Sequence, residues 1–192
     1  MIIGIIDCGG ANLNSIYYSF KRLGINTVIS NSKNELSGLD AYVLPGVGSA
    51  NAVMQCLRDK SLIDFIKNIT KPVLGICIGM QIMYEYSEEG DTQCLGIIDG
   101  KIKKFKSEKN LTVPQMGWNK LVCNDDLKSL NGHYYYANSF YTDSTDSAIG
   151  FTEYGINYTS LVKKNNFIGC QFHPEKSSVN GEKFLQYFLT TA

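Results

Sequence analysis

The chain has 192 residues, enough for one domain with a sizeable hydrophobic core. Its 18 lysine and arginine residues balance its 18 aspartate and glutamate residues, so we expect neither nucleic acid nor a membrane surface as a partner. The apolar start, residues 1–7, has no cationic segment and is far too short to span a bilayer. It is predicted to be the first core strand of a cytoplasmic protein.

The first half of the chain alternates between strand and helix patterns. Short apolar runs predict strands at 2–7, 27–30, 41–44 and 72–76. The helical spacing of apolar residues predicts helices at 12–23, 52–69 and 78–85. Strands that alternate with helices of this length indicate β-α-β units, so we predict an open, mostly parallel central sheet flanked by helices.

The second half is richer in strand patterns. Strands are predicted at 95–105, 113–121, 134–141, 148–152, 160–162 and 167–172, and a last helix at 179–189. Such a run favours antiparallel strands added to the parallel sheet. No repeat, low-complexity tract or linker divides the sequence, so residues 1–192 are expected to form a single α/β domain.

The cysteines and histidines argue against disulfides and metals. The chain has six cysteines, and no two of them have Cys-x-x-Cys spacing. Only two histidines are present, His133 and His173, so a metal site would be poor in its commonest ligand. We expect no metal and no other cofactor.

One cysteine lies where a strand is predicted to run straight into a helix. Cys77 is flanked by Gly75 and Gly79, which is the thiol version of the Gly-x-Ser-x-Gly nucleophile elbow. The sharp turn requires small neighbours, and the start of a helix at Ile78 would favour a thiolate. The alternative is a buried cysteine in a glycine-punctuated core strand.

A cysteine nucleophile needs a base, and the base needs an orienting group. The segment His173-Pro174-Glu175 offers both, because proline keeps the preceding residue extended and residues i and i+2 then face the same side. The alternative is a plain exposed turn. His133 lies in a polar loop and is the weaker candidate base.

An oxyanion intermediate needs hydrogen-bond donors. The backbone N–H of Ile78 is one candidate, and the glycine-rich segment with Val47 and Gly48 can supply another. Taken alone, this glycine-rich segment is equally typical of an ordinary turn.

Three motifs in this order carry a family resemblance: Pro-Gly-Val-Gly at 45–48, Gly-Ile-Cys-Ile-Gly-Met-Gln at 75–81 and Gln-Phe-His-Pro-Glu at 171–175. Together they resemble the class I, triad-type glutamine amidotransferases, whose fold is flavodoxin-like. Val47, Met80 and the segments 114–119 and 174–177 are most similar to the glutaminase subunits of imidazole glycerol phosphate synthases. Asn138 departs from the pattern, since many relatives have histidine there.

The resemblance implies that Cys77 attacks the amide carbon of L-glutamine and that His173, oriented by Glu175, passes the proton to the departing ammonia. Glutamine would be held by Gly48, Gln81, Glu89 and Ser139. The implied partner is a (β/α)8-barrel cyclase subunit of the HisF type, in a heterodimer that serves histidine biosynthesis. The interface positions would be Asn12, Trp118, Tyr135 and Lys176.

Two other interpretations stay open at this point. One is a paralogous amidotransferase subunit that feeds ammonia to another synthase, such as one that aminates a sugar. The other is a non-enzymatic, flavodoxin-like binding module in which Cys77 is only structural.

Overall fold

A computed structural model describes residues 1–9, 12–46, 48–106, 111–143 and 145–191. The strands of these residues are β1 (Ile2–Ile6), β2 (Asn26–Ser30), β3 (Ala41–Leu44), β4 (Val73–Ile76), β5 (Tyr86–Ser87), β6 (Thr92–Gln93), β7 (Lys101–Lys104), β8 (Gln115–Cys123), β9 (Gly132–Asn138), β10 (Phe140–Thr142), β11 (Ala148–Tyr154), β12 (Ile156–Lys164) and β13 (Phe167–Cys170). The helices are α1 (Leu13–Arg22), α2 (Lys33–Leu36), α3 (Ala50–Asp59), α4 (Ile63–Lys67), α5 (Ile78–Gln81) and α6 (Ser178–Leu189). Two 3₁₀ turns cover Asp125–Leu130 and Pro174–Lys176.

The centre of the sheet is parallel. Strands β2, β1, β3, β4 and β13 lie side by side in that order. Because β13 pairs with β4 in register, with Cys170 beside Ile76, both strands end at the same edge. The Cys77 N–H extends the pairing by donating to the Cys170 carbonyl at 2.7 Å. This register places the segment that follows β13 next to Cys77.

Antiparallel strands extend the sheet from β12. Beyond β13 the order continues as β12, β10, β7, β5 and β6. A side branch starts at β12: β11 pairs with β12, β8 pairs with β11, and β9 pairs with β8. In the β8–β9 pair Gln115 lies opposite Asn138. The fold class predicted from the sequence, a mostly parallel sheet with added antiparallel strands, is confirmed.

The parallel strands are buried along most of their length, as expected for a sheet covered on both faces. Strands β3, β4 and β13 are buried throughout. The apolar stripes of the longer helices join the same core through Ile16 and Phe20 of α1, Val53 and Leu57 of α3, and Phe184 and Phe188 of α6. The core therefore fixes the strand ends that carry the candidate site.

Two predicted helices are shorter than the apolar spacing indicates. The helix predicted over 52–69 is divided into α3 and α4 by a turn in which Ser61 has φ 53°. The helix predicted over 78–85 ends at Gln81, because the carbonyls of Ile82 and Met83 accept N–H groups of the segment 95–98 instead of continuing the helix. A local turn ends the first helix, and backbone bonds to a distant segment end the second.

Two predicted strands also differ. Only Lys101–Lys104 of the strand predicted over 95–105 is extended and paired, since Gly96 and Gly100 adopt positive φ and turn the chain. The strand predicted over 134–141 is interrupted at Ser139, which separates β9 from β10. Among the described residues, no helix is both long and apolar enough to cross a membrane.

Candidate active site

Cys77 occupies the corner between β4 and α5. Its backbone has φ 52° and ψ −110°, a conformation that a residue with a side chain rarely adopts and that marks a strained turn. A Cβ at Gly79 would overlap the Leu44 carbonyl, and one at Gly75 would crowd the Gly79 carbonyl. The glycine spacing therefore reflects close backbone approach on both sides of the cysteine.

A cavity of about 630 Å³ opens above Cys77, outside the carboxyl ends of the parallel strands where ligands of such sheets bind. Its walls contain many of the predicted site residues. The lining is Asn12, Gly46, Gly48, Cys77, Ile78, Gln81, Glu89, Pro114, Met116, Ala137, Asn138, Ser139, His173 and Lys176. Val47 lies outside the described residues, and Trp118 and Tyr135 do not line the cavity.

His173 and Glu175 form a buried pair beside Cys77. The His173 Nδ1 lies 2.8 Å from Glu175 Oε1, and the two side chains are 6% and 1% exposed. Burial disfavours the charged ring, but the Cys77 sulfur and the Glu175 carboxylate outweigh it and raise the pKa of His173 from 6.5 to about 10. Because Nδ1 bonds to Glu175, the Nε2 atom is the ring nitrogen that is available to Cys77.

The His173-Pro174-Glu175 segment is anchored rather than an exposed turn. The His173 N–H donates to the Tyr135 carbonyl at 2.8 Å. The Ser177 hydroxyl donates to the His173 carbonyl at 2.6 Å and accepts from the Tyr135 N–H at 2.9 Å. These bonds tie the segment to β9, so the imidazole is held at a fixed place in the cavity wall.

Asn12 contacts the His173–Glu175 pair directly. Its Nδ2 donates to Glu175 Oε1 at 2.7 Å, the same oxygen that faces His173. Sequence reasoning placed Asn12 only at a partner interface and gave it no contact with the carboxylate. No sequence signal links the two residues, because 163 positions separate them.

Gln171 is a second residue whose place the sequence left open. It is 1% exposed, its Nε2 lies 3.5 Å from the Cys77 sulfur, and its Oε1 accepts from Gln81 Nε2 at 2.8 Å. The signal that could have found it is its spacing, because a residue two positions before His173 on an extended segment faces the same side.

The cavity wall also contains the predicted glutamine contacts Gly48, Gln81, Glu89 and Ser139. Gln81 Nε2 also donates to the Phe140 carbonyl at 3.3 Å. Glu89 accepts from the Ala50 N–H at 2.7 Å, at the start of α3. Asn138 donates from Nδ2 to the Phe140 carbonyl at 3.0 Å, and its Oδ1 is buried without a partner among the described residues.

The mouth of the cavity carries exposed apolar side chains. Met116 is 67% exposed and Trp118 is 55% exposed. The Trp118 ring meets Tyr135 edge-on with centroids 6.3 Å apart, and Lys176 Nζ lies 5.8 Å from the Tyr135 centroid. We call Met116, Trp118, Tyr135 and Lys176 the rim cluster.

The surroundings distinguish Cys77 from most of the other thiols. Burial raises the pKa of Cys8 to about 12, raises those of Cys94 and Cys123 to about 11, and holds that of Cys170 well above its ordinary value. A thiol that keeps its proton is a poor nucleophile. Cys77 is the described cysteine that faces an imidazole and a cavity, although it is only 4% exposed.

Nothing in the described part of the chain suggests a metal centre, since no group of three His, Cys, Asp or Glu side chains is arranged to hold an ion. A thiol beside a charged imidazole, with a buried carboxylate behind the ring, has the arrangement of nucleophilic acyl transfer.

Known proteins resemble this chain over almost its whole length. Residues 4–192 match the family described as glutamine amidotransferase class-I. Imidazole glycerol phosphate synthase subunit HisH of Haemophilus influenzae is 43% identical over 192 residues, which cover 97% of this chain and 96% of that protein. Imidazole glycerol phosphate synthase subunit HisH 2 of Campylobacter jejuni is 43% identical over 191 residues, which cover 98% of each chain.

Solved structures share the fold at low identity. A crystal structure of a glutamine amidotransferase aligns with a TM-score of 0.79 and 17% identity, over 100% of this chain and 98% of the other. The structure of PurLQS from Thermotoga maritima aligns with a TM-score of 0.73 and 17% identity, over 98% of this chain and 97% of the other.

Proposed function

Since this chain belongs to the class-I glutamine amidotransferase family, in the group of HisH subunits of imidazole glycerol phosphate synthase, we propose that Cys77, His173 and Glu175 are its catalytic triad. The chain is a glutamine amidotransferase rather than a non-enzymatic binding module. The observation that carries the triad is the buried His173–Glu175 pair beside the only described cysteine on the cavity wall.

The proposed reaction proceeds through a thioester. The Cys77 thiolate attacks the side-chain amide carbon of L-glutamine, and the amide oxygen becomes an oxyanion. The imidazolium of His173 gives its proton to the departing nitrogen, so ammonia leaves and a thioester remains. Water then attacks the thioester, His173 takes its proton, and glutamate and the thiol are released.

The oxyanion would be stabilised by backbone N–H groups. The Ile78 N–H is the first of α5 and has no hydrogen-bond partner among the described residues. Gly48 lies on the cavity wall with φ 109°, and Val47 remains a predicted contributor. A single donor of this kind typically contributes about 3–4 kcal/mol, roughly a hundred- to thousandfold in rate.

Gln81, Glu89, Ser139 and Gly48 are proposed to hold glutamine. The proposal is supported by their common position on the cavity wall. Gln81 Oε1 is buried without a hydrogen-bond partner among the described residues, and such an acceptor is costly to leave unpaired. The α-ammonium group of an amino acid would be a suitable donor to this part of the wall.

The curated relatives are subunits, so this chain works with a partner subunit. We propose that the partner is a (β/α)8-barrel cyclase of the HisF type, which receives the ammonia to make imidazole glycerol phosphate and an aminoimidazole carboxamide ribotide. The rim cluster supports this docking position because Met116 and Lys176 line the cavity, and the exposed Trp118 lies next to them against Tyr135. Residues 1–192 would act as one type-1 amidotransferase domain in that heterodimer.

The test is glutamate release from glutamine in the presence of a HisF-type cyclase. Cys77→Ala should abolish the reaction while the variant still folds and co-purifies with the cyclase, because the covalent route is lost and little packing is removed. Cys94→Ala is the matched control, since Cys94 is half-buried and does not line the cavity; it should keep the parent rate.

Glutaminase activity that survives Cys77→Ala would refute the triad. Failure to bind the cyclase or to support its glutamine-dependent turnover would instead favour a paralogous subunit that serves another synthase, such as one that aminates a sugar.

A further inference from the structure

A line of three hydrogen bonds runs through the cavity wall to the nucleophile. It begins at the Phe140 carbonyl, which accepts from Gln81 Nε2 at 3.3 Å. The same Nε2 donates to Gln171 Oε1 at 2.8 Å, and Gln171 Nε2 lies 3.5 Å from the Cys77 sulfur. Gln81 and Gln171 are each 1% exposed, so solvent does not compete for these bonds.

The Phe140 carbonyl determines the orientation of the side-chain amides of Gln81 and Gln171. A backbone carbonyl can only accept, so the Gln81 group that faces Phe140 must be the NH₂. That NH₂ also faces Gln171, whose oxygen must therefore accept from it. The Gln171 NH₂ is then directed at the Cys77 sulfur, which leaves this amide as a donor to the sulfur.

We propose that Gln171 stabilises the Cys77 thiolate by donating a hydrogen bond to its sulfur, and that Gln81 holds the Gln171 amide in the donating orientation. This inference rests on the proposed role of Cys77 as the nucleophile. A donor aimed at a charged group favours the charged form, most strongly where water is excluded. Gln171 thus acts together with the imidazolium of His173.

Several titratable groups also face Cys77. Three of them interact with Cys77 directly: His173, which follows β13, Cys170 of β13 and Tyr158 of β12. Glu89 and Lys176 lie on the wall of the same cavity. Burial holds the pKa of Cys170 and of Tyr158 well above their ordinary values, so both are neutral near pH 7. Replacing neutral Gln171 by another neutral residue leaves all these charges in place and isolates the hydrogen bond.

The experiment measures the rate at which iodoacetamide alkylates Cys77 between pH 5 and pH 10, by mass spectrometry of the peptide that contains it. Gln171→Met removes the donor at similar size, and it should move the inflection of the rate profile to higher pH. Gln171→Glu keeps an acceptor for Gln81 but places a carboxylate oxygen near the sulfur, so its inflection should move further.

The kinetic readout is glutamine hydrolysis. Gln171→Met should lower kcat roughly ten- to hundredfold with little change in KM, the size expected for one hydrogen bond to a charged group. Gln115→Met is the matched control, because Gln115 is 2% exposed and bonds to Tyr158 rather than to Cys77. It should keep the parent inflection.

Folded Gln171→Met and Gln171→Glu proteins with the parent inflection would overturn the proposal. If Gln171→Met does not fold, the neutral Gln171→Leu takes its place, since a carboxylate at this position would move the inflection by its charge alone. Alkylation reports on the sulfur and not on turnover. An unchanged inflection in the Gln171 variants would therefore leave the glutaminase assignment intact. Glutaminase activity in Cys77→Ala would refute that assignment instead.

Discussion

At the scale of single residues, the site depends on the buried Glu175 carboxylate and the two side chains that bond to it. Glu175 is almost fully enclosed, and one of its oxygens faces both His173 Nδ1 and Asn12 Nδ2. This contact orients the imidazole, while the Cys77 sulfur in front of the ring helps to raise the pKa of His173. The consequence is an imidazolium that can give a proton to the leaving group in the proposed reaction.

We predict that His173 remains protonated at pH 8, where an ordinary histidine with a pKa near 6.5 is largely neutral. Its pKa of about 10 is raised by the Cys77 sulfur against the lowering effect of burial, so Cys77→Ala should lower it. Imidazole NMR from pH 5 to pH 11 measures both values. The His133→Gln variant assigns the two histidine signals, since His133 is the other histidine of the sequence, is exposed and does not line the cavity.

A His173 signal that titrates near pH 6.5 in the parent would contradict this charge arrangement. So would a His173 pKa that does not change in Cys77→Ala, because the sulfur would then not be its partner.

At the scale of elements, the elbow depends on how closely α5 approaches its neighbouring strands. The Gly79 backbone lies against the Leu44 carbonyl at the end of β3, and the Gly46 backbone lies against Ile76 and Cys77. This closeness leaves no room for a side chain, so three short segments meet backbone to backbone under the sulfur. The cavity floor is consequently set by glycine positions rather than by side-chain packing.

We predict that Gly79→Ala reverses the effect expected from helix propensity. Alanine at an ordinary helix position stabilises by up to about 1 kcal/mol relative to glycine. Here the added methyl group collides with the Leu44 carbonyl, so we expect destabilisation of about 1–3 kcal/mol together with a loss of glutaminase activity. Urea unfolding monitored by circular dichroism measures the stability.

Asn14→Ala is the control for this comparison, because Asn14 is an exposed position of α1. It should leave the stability unchanged or raise it slightly. A Gly79→Ala protein as stable as the parent would mean that α5 can move away from β3 at little cost.

At the scale of the whole molecule, the cavity and the rim cluster face the same way. The thiol, the proposed donors at Gly48 and Ile78 and the rim cluster all lie at or near one opening. A partner that covers this opening would therefore act directly on the segment that contains Gly46 and Gly48. Because glycine-rich backbone can change orientation at low cost, we expect the proposed donor at Gly48 to be adjustable.

We predict that the isolated chain hydrolyses glutamine slowly and that a HisF-type cyclase accelerates it, most of all with the nucleotide substrate bound to the cyclase. Gain or loss of one oxyanion donor would change the rate roughly a hundred- to thousandfold. Steady-state glutaminase assays of the chain alone, with the cyclase, and with the cyclase and its substrate measure the effect.

Trp118→Ala should weaken this activation without changing the basal rate of the isolated chain. The matched control is Ile156→Ala, since Ile156 is an apolar residue that is 41% exposed and does not line the cavity. Equal rates for the chain alone, with the cyclase, and with the cyclase and its substrate would show that the partner exerts no such control.

The sequence determined the class of the fold and the principal chemical groups. Alternating strand and helix patterns predicted the parallel sheet, and glycine spacing predicted the elbow at Cys77, because both are local properties of the chain. The His-Pro-Glu motif predicted a base with an orienting carboxylate, since proline fixes its own φ and keeps the preceding residue extended. The segment is not extended throughout, because Pro174–Lys176 form a 3₁₀ turn. The lengths of the helices over 52–69 and 78–85 were wrong, because distant N–H groups and an interrupting turn override local periodicity.

Only the tertiary structure decided which distant groups meet. The in-register pairing of β4 with β13 puts Gln171 against Cys77, and the packing of α1 beside the Pro174–Lys176 turn puts Asn12 against Glu175. These contacts join residues 94 and 163 positions apart. Hydrogen bonds act over about 3 Å in space, and the folded path of the backbone, rather than spacing along the chain, brings such groups within that distance.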